Sequence, residues 1–456
     1  MSARRLRRGL GANALSIAIR IALQFATLPL LFAAWPAGQV GVWLMLFTLP
    51  AYVGIVGTGF AGAGGSESLA AAQAGDLPRA RRLFVGAWAV TSAGTIALAL
   101  AFLAGGEALA RLMPLAEADV ATAEIGTALG WLALYIVASS QLAVADIPFR
   151  VAGRYPDHIL LTSLAGLAEI AIIALCALLS GDLAVLAMGL ALGRTGMAAL
   201  TIVCARRAAP DMFAGSRRTD RRTIGALWRP SLAFMAMPVI FGLNLQGYLL
   251  LAGARFGAVA LAAFAATRTL TRMLDLLTNL AYGLHYYESG YLSDDRTGVQ
   301  RRILATTTAA LLVVALTFAA ALLATGHWLQ PLYTGGQTRF DPALAAVLLA
   351  AAGLRALAAA PLAVLAAENR HGPTVAIYLA GSLAGLAGAS MLAAAGAPLV
   401  ACVGFLVLAE AAQTIPALGA ALRRLGMTPA AFARAVISRD RLGDLAAMIR
   451  MLRRPA

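Results

Sequence analysis

Twelve apolar stretches, each about 20 residues long, constrain the fold of this 456-residue chain more than any other feature. They lie at 10–33, 40–62, 83–105, 127–147, 159–180, 183–205, 231–253, 258–284, 303–325, 343–366, 374–395 and 398–421. A helix of about 20 residues crosses the hydrocarbon core of a bilayer, because it rises about 1.5 Å per residue. Only 12% of the residues are charged, against roughly 25% in soluble domains. The sequence therefore predicts an all-α membrane protein with twelve transmembrane helices.

The arginines predict how these helices are oriented. All 36 basic residues are arginine, against 21 acidic residues. The predicted outer loops hold only Arg111, Arg255 and Arg339, and most of the others follow the inner ends of spans. By the positive-inside rule, both termini are cytoplasmic. Because the basic residues follow topology and no binding motif accompanies them, nucleic acid is not an expected partner.

An internal repeat predicts two pseudo-symmetric bundles of six helices. Its landmarks recur in order, about 220 residues apart: 163–168 as 382–387, 67–68 as 288–289, 81–84 as 301–304, and 206–207 as 423–424. We expect an N-lobe at 1–205, a basic cytoplasmic loop at 206–229, a C-lobe at 230–422 and a basic amphipathic tail at 423–456. Parallel repeats of this kind build many secondary transporters, with a binding cleft between the repeats.

Charged side chains in the middle of spans mark candidate functional positions, because each costs at least about 2.5–3.5 kcal/mol to insert. Span eight carries a polar ladder on one face, and span one carries a weaker stripe. The ladder contains Arg268, Arg272, Asp275, Asn279 and Tyr282, and the stripe contains Arg20 and Gln24. Two such stripes, one in each half of the repeat, predict a wet cavity between the lobes, lined by arginine.

Structural roles are an alternative for the same charges. Arg272 and Asp275 are spaced to form an ion pair that locks helix packing. We expect Arg194, Glu169 and Glu410 to satisfy one another inside the bundles. Arg355 stands alone among alanines in its own span, and a role in the cavity is the favoured interpretation there.

The sequence lacks the residues that common catalytic sites need. Without lysine there is no P-loop, and the four histidines form no metal-binding pattern, so no cofactor and no metal are expected. The three cysteines lie in apolar runs. The outer loops are too short for a soluble catalytic domain, so the chain is not predicted to be an enzyme. A membrane-embedded glycosyltransferase or polymerase is the least favoured alternative.

The opening third resembles a known family. Its residues 10–60 and 65–84 read LGANALSIAIRIALQFATLPLLFAAWPAGQVGVWLMLFTLPAYVGIVGTGF and GSESLAAAQAGDLPRARRLF. With Gly41, Gly59-Phe60 and Gly75-Asp76, these runs resemble bacterial polysaccharide-biosynthesis membrane proteins. That family comprises the O-antigen-type (Wzx-like) lipid-linked oligosaccharide flippases of the multidrug/oligosaccharidyl-lipid/polysaccharide (MOP) exporter superfamily, which also contains the MATE transporters.

The resemblance implies a flippase of the bacterial inner membrane that moves an undecaprenyl-pyrophosphate-linked oligosaccharide by alternating access. Spans one, two, seven and eight would line the cleft, and Arg20, Arg268 and Arg272 would hold the pyrophosphate. Gln24, Asn279 and Tyr282 are expected at sugar hydroxyls, and Asp275 is the candidate acid for proton or sodium coupling. Membrane lipids and polysaccharide-assembly proteins are the other expected partners.

A MATE-like, cation-coupled multidrug antiporter is the alternative with the same fold. It would need dominant acidic groups in the cleft to bind cationic drugs, whereas arginine dominates the predicted cleft of this chain.

Overall fold

The computed structural model describes residues 3–112, 120–214, 221–275, 296–367, 370–438, 440–441 and 443. The described chain is helical throughout apart from short turns, and no strand occurs in it. The first half contains α1 (Ala3–Ala34), α2 (Ala37–Gln73), α3 (Leu77–Leu112), α4 (Thr122–Val144), α5 (Asp146–Val151), α6 (Tyr155–Leu179), α7 (Leu183–Ala208) and α8 (Pro210–Phe213). The second half contains α9 (Arg221–Gly242), a π-helical segment (Leu243–Gly247), α10 (Tyr248–Thr271), α11 (Arg296–Tyr333), α12 (Pro342–Ala367), α13 (Gly372–Ala394), α14 (Leu399–Arg424) and α15 (Pro429–Ile437).

The predicted all-α membrane fold is confirmed. Among the described residues, ten helical stretches are long and apolar enough to cross a membrane. One of them, Phe234–Asp275, runs for 42 residues, which is about 63 Å at 1.5 Å per residue and therefore enough for two crossings. The second predicted span lies inside α2, whose 37 residues exceed one bilayer thickness.

A glycine separates the two crossings within Phe234–Asp275. Gly257 has φ 88° and ψ 170°, a conformation that is essentially restricted to glycine. It follows Arg255, in the turn predicted between spans seven and eight. The backbone break thus ends one span and begins the next without a long loop.

The first compact unit comprises Met1–Ala263 and Tyr333–Thr338. Its core contains Phe60, Phe84, Ile147 and Leu227, all nearly inaccessible to solvent. Gly64 on α2 lies so close to Ala87 on α3 that a Cβ at this glycine would stand 2.5 Å from the alanine methyl group. Small residues of this kind let membrane helices pack closely.

The second compact unit comprises Phe264–Leu332 and Arg339–Ala456. Here α14 packs against both α12 and α13. The core includes Leu304, Val364, Leu422 and Phe432, so the helix α15 of the predicted amphipathic tail is anchored by one buried aromatic side chain. Thr428 caps this helix by accepting a hydrogen bond from the Ala431 amide at 3.2 Å.

The first compact unit extends beyond the predicted N-lobe. It ends at Ala263 rather than at residue 205, because α9, which contains the start of the seventh span, packs against α2. The symmetry-based lobe boundaries stay a prediction.

Candidate functional site

A buried charge cluster lies in the second unit, around Arg355 in the middle of α12. Its Nη1 donates to both carboxylate oxygens of Asp275, at 2.8 and 2.9 Å. Its Nε and Nη2 lie 3.0 and 2.8 Å from Oε1 of Glu410 on α14. The hydroxyl of Tyr378 on α13 donates to the other oxygen of Glu410 at 2.8 Å. One guanidinium thus joins two carboxylates that come from different helices.

The expectation that Arg355 stands alone is wrong. Its partners are 80 and 55 residues away in sequence, so its own span could not reveal them. The carboxylate of Glu410 is fully buried, and 16% of the Arg355 side chain is exposed. Because a buried charge is costly unless it is paired and hydrogen-bonded, this cluster explains why α12 tolerates an arginine among alanines.

Arg272 and Arg268 lie one turn apart at the end of the described part of span eight. Arg272 Nε is 3.3 Å from Asp275 Oδ2, so the two guanidiniums of Arg272 and Arg355 share one carboxylate. Arg268 is 9% exposed, and its guanidinium lies 5.8 Å from the centre of the Phe264 ring. The predicted ladder is therefore partly an ion-pair cluster. Asn279 and Tyr282 lie outside the described residues.

A related cluster lies in the first unit, around Arg194 on α7. Its Nη2 contacts the Glu169 carboxylate on α6 and donates to the Tyr135 hydroxyl on α4 at 2.7 Å. The Tyr135 hydroxyl in turn donates to Glu169 at 2.6 Å, and the guanidinium lies 5.0 Å from the centre of the tyrosine ring. The predicted pairing of Arg194 with Glu169 is confirmed, whereas Glu410 pairs with Arg355 in the other unit.

Both units therefore build an arginine–glutamate–tyrosine cluster from corresponding helices. The three residue types are distributed differently among those helices in the two units. The first unit takes Tyr from its fourth span, Glu from its fifth and Arg from its sixth. The second unit takes Arg from the tenth span, Tyr from the eleventh and Glu from the twelfth. Sequence analysis missed both tyrosines. The signal that could have found them is a hydroxyl group within an apolar helix, since a buried tyrosine hydroxyl needs a partner.

The predicted stripe on span one is described in part. Gln24 is half-buried, and its Nε2 has no hydrogen-bond partner among the described residues. Arg20 lies within α1, and its side chain is outside the described part of the structure. The stripe therefore includes one amide with unused hydrogen-bonding capacity.

The π-helical segment Leu243–Gly247 interrupts span seven, and sequence analysis did not predict it. The hydroxyl of Thr48 on α2 lies 3.4 Å from Oε1 of Gln246 in this segment. Such π-helical turns widen the helix locally and occur often at functional sites. In the described residues, no group of three histidine, cysteine or acidic side chains is arranged to hold a metal.

Comparison with known proteins identifies the fold. No protein-family model matches the sequence, and no curated protein sequence matches it either. Among solved structures, an inward-facing multidrug resistance MATE family transporter of the MOP superfamily has a TM-score of 0.69 at 14% identity, over 89% of this chain and 94% of that chain. The lipid II flippase MurJ in an inward closed conformation has a TM-score of 0.67 at 11% identity, over 98% and 94%.

A third solved structure is a MOP superfamily transporter from Pyrococcus furiosus Vc1, with a TM-score of 0.51 at 12% identity, over 92% of this chain and 95% of that chain. Its published description states that reverse polarity of the binding pocket suggests a different function for that protein. All three chains are covered almost completely. The chain therefore has the fold of MOP superfamily transporters over nearly all of its length.

Proposed function

We propose that this protein is a flippase that moves a lipid-linked oligosaccharide, carried on undecaprenyl pyrophosphate, across the bacterial inner membrane by alternating access. The cargo would be a repeat unit of a surface polysaccharide such as O-antigen. Glycosyltransferases would supply it on the cytoplasmic side, and a polymerase would use it on the other side. The likeness to MurJ supports a flippase of lipid-linked cargo, and the resemblance of residues 10–84 supports the O-antigen class.

This proposal depends on the net positive charge of the side chains at the centre of the spans. The spans hold five central arginines (Arg20, Arg194, Arg268, Arg272 and Arg355) against three central carboxylates (Glu169, Asp275 and Glu410), which is an excess of two positive charges. Each carboxylate contacts an arginine of its own unit. Arginine therefore outnumbers carboxylate at the centre of the spans, which favours an anionic cargo.

Arginine suits a pyrophosphate for two reasons. Its planar guanidinium donates two parallel hydrogen bonds to phosphate oxygens, and it stays charged in a poorly hydrated site. We assign this role to Arg20, Arg268 and Arg272. We assign Gln24, Asn279 and Tyr282 to the binding of sugar hydroxyls. The Gln24 amide nitrogen has no hydrogen-bond partner among the described residues, so it is available for such a contact. Arg355 becomes a positioning residue, because it holds Asp275 beside Arg272.

Asp275 is the proposed acid for ion coupling. It is the one central carboxylate that contacts two arginines in the described structure. Binding of a proton or sodium ion to Asp275 would weaken its ion pair with Arg272. The net positive charge that faces the cargo would then increase.

The test is transport by purified protein in vesicles that contain a fluorescent polyprenyl-pyrophosphate oligosaccharide. Arg268→Gln and Arg272→Gln should each reduce transport at least about tenfold, since a hydrogen bond to a charged group contributes about 1.5–3 kcal/mol. Arg423→Gln, which removes an exposed arginine at the end of α14, is the matched control and should transport normally. Normal transport by all three variants would exclude the assigned ligands.

A cation-coupled multidrug antiporter is the second candidate, because the MATE transporter matches this fold at least as well as MurJ does. Cells that express the protein should show unchanged resistance to cationic drugs if the flippase proposal holds. Drug efflux that depends on Asp275, without movement of the lipid-linked glycan, would support the antiporter instead.

A further inference from the structure

A cavity of about 510 Å³ lies in the first unit, between the start of α3 and the segment that joins α7 to α8. Its lining includes Arg81 and Val85 on α3, Arg206 at the end of α7, and Phe213 in α8. None of these residues belongs to the proposed transport site. The volume falls within the range of ordinary small-molecule sites, about 300–1,000 Å³.

One end of this cavity is cationic. Arg81 Nε donates to the backbone carbonyl of Asp211 at 2.8 Å, which fixes the guanidinium at the cavity. The Arg206 guanidinium lies 5.6 Å from the centre of the Phe213 ring. Within the described residues, no carboxylate, including that of Asp211, lies within ion-pair distance of either arginine. Two positioned guanidiniums without an acidic partner favour an anion.

The other end is lined by Val85, Trp88, Ala89 and Ser92 and points into the span. Trp88 Nε1 donates to Gln141 at 2.5 Å, so the polar atom of the indole is satisfied and the ring offers an apolar wall. Phe213 packs against Trp88 with 6.1 Å between ring centres. From Arg81 to Ser92, the lining residues of α3 extend along about 16 Å of the helix at 1.5 Å per residue. The cavity therefore runs from the end of a membrane span toward its middle.

The second unit repeats this arrangement at the corresponding place. A cavity of about 790 Å³ is lined by Arg301 and Arg302 near the start of α11 and by Met427 after α14. Arg301 Nε donates to the carbonyl of Leu425 at 2.7 Å, just as Arg81 bonds to the chain after α7. The internal repeat thus places an arginine-lined cavity at the same end of both six-helix halves.

The two cavities differ in whether an acidic side chain belongs to the described lining. In the second unit, Asp440 and Arg441 of the tail belong to the lining, and Arg441 Nη1 donates to Thr306 at 2.8 Å. A carboxylate of the chain therefore stands among the arginines there. The first cavity has no acidic side chain among its described lining residues, so its arginines suit an anion that is not part of that lining.

We propose that the cavity of the first unit binds an anionic phospholipid, with the phosphate between Arg81 and Arg206 and one acyl chain along α3 toward Ser92. The arginines lie at the predicted cytoplasmic end of span Leu77–Gly105, where phosphates of the inner leaflet stand. Basic pockets between helices at this level are typical sites for acidic headgroups. A cavity with a cationic end and a deep apolar wall fits a phospholipid better than a soluble phosphate, because only the phospholipid has an acyl chain.

The test uses the full-length protein in phosphatidylcholine nanodiscs that contain a trace of phosphatidylglycerol with a diazirine in its acyl chain. Labelled peptides are identified by mass spectrometry. Arg81→Gln/Arg206→Gln should lower labelling of α3 at least about tenfold. The matched control is Arg82→Gln/Arg207→Gln, which removes the same charge from the adjacent exposed residues and should label normally. Equal labelling in both double variants would overturn the proposal.

A second variant tests the apolar half without changing the charge. Ala89 is an exposed lining residue, and Ala89→Trp should fill the space for the acyl chain and reduce labelling, while the thermal transition in detergent stays unchanged. Labelling that is unaffected would refute the acyl-chain assignment. Competition with millimolar glycerol 3-phosphate should leave the labelling intact. Loss of labelling there would assign the cavity to a soluble phosphate ester and overturn the lipid.

Discussion

At the residue scale, the central arginines have two kinds of environment. Arg355 is bound by two carboxylates of its own unit, and Arg194 is bound by one carboxylate and one tyrosine hydroxyl of its own unit. Arg272 is less enclosed, with 31% of its side chain exposed, and shares Asp275 with Arg355. An arginine in the middle of a span is therefore not by itself a ligand for cargo. The partners that the fold supplies decide between a structural and a functional role.

Removing Arg355 should destabilise the protein strongly. Arg355→Met leaves the buried Glu410 carboxylate without a cationic partner and leaves Asp275 with Arg272 alone, and we expect a loss of about 3–5 kcal/mol in the free energy of unfolding. Denaturation in detergent micelles measures it. Adding Glu410→Gln to this variant should restore part of the stability, because the uncompensated buried charge disappears. A stable single variant would contradict the buried cluster.

Removing one hydroxyl should weaken the corresponding cluster in the first unit. Tyr135→Phe deletes the bonds to Glu169 and Arg194 and should cost about 1–3 kcal/mol, because buried polar groups lose a partner. Tyr155→Phe is the matched control, since Tyr155 is 41% exposed at the start of α6, and it should change stability little. Equal losses in the two variants, measured by thermal unfolding, would argue against the Tyr135 contacts.

At the element scale, the spans are defined by their apolar length, while their irregularities are defined by single residues. Prolines lie inside α1, α2, α9, α12 and α14, and each removes a backbone donor and bends its helix. Gly257 and the π-helical turn interrupt the long helical run of spans seven and eight. Such interruptions are the places where membrane helices flex.

Substitution of Gly257 should be costly. Gly257→Ala forces a side chain into a backbone conformation with φ 88°, and we expect a loss of about 1–3 kcal/mol or a shift of the turn. Gly353→Ala, in the middle of α12 with open space around its Cβ position, should be neutral or up to about 1 kcal/mol stabilising. Thermal unfolding of both variants in detergent makes the comparison. A neutral Gly257→Ala would show that this backbone break is not required.

At the whole-molecule scale, the fold matches MOP superfamily transporters along nearly the entire chain. Each compact unit has its own buried charge cluster and its own arginine-lined cavity. Both halves of the sequence repeat therefore carry the same kinds of feature, an arginine–glutamate–tyrosine cluster and an arginine-lined cavity. Within the clusters, the three residue types lie on different spans in the two halves.

The predicted topology can be tested on single cysteines in a variant that carries alanine at 176, 204 and 402. Ala74→Cys, in the exposed turn after α2, should react with an impermeant maleimide only in inside-out vesicles. Ala121→Cys, an exposed alanine before α4, should react only in right-side-out vesicles. The opposite pattern would reverse the orientation inferred from the arginines.

The sequence by itself determined the all-helical membrane class and the internal repeat, because apolar length and residue order are local properties of the chain. It also pointed to Arg194 and Glu169 as partners. Only the tertiary structure decided that Arg355 binds Asp275 and Glu410, that two tyrosines complete the clusters, and that Arg81 and Arg206 border one cavity. These outcomes depend on how each helix is rotated against its neighbours, and a span that is apolar on nearly all sides carries too little periodic signal to set that rotation.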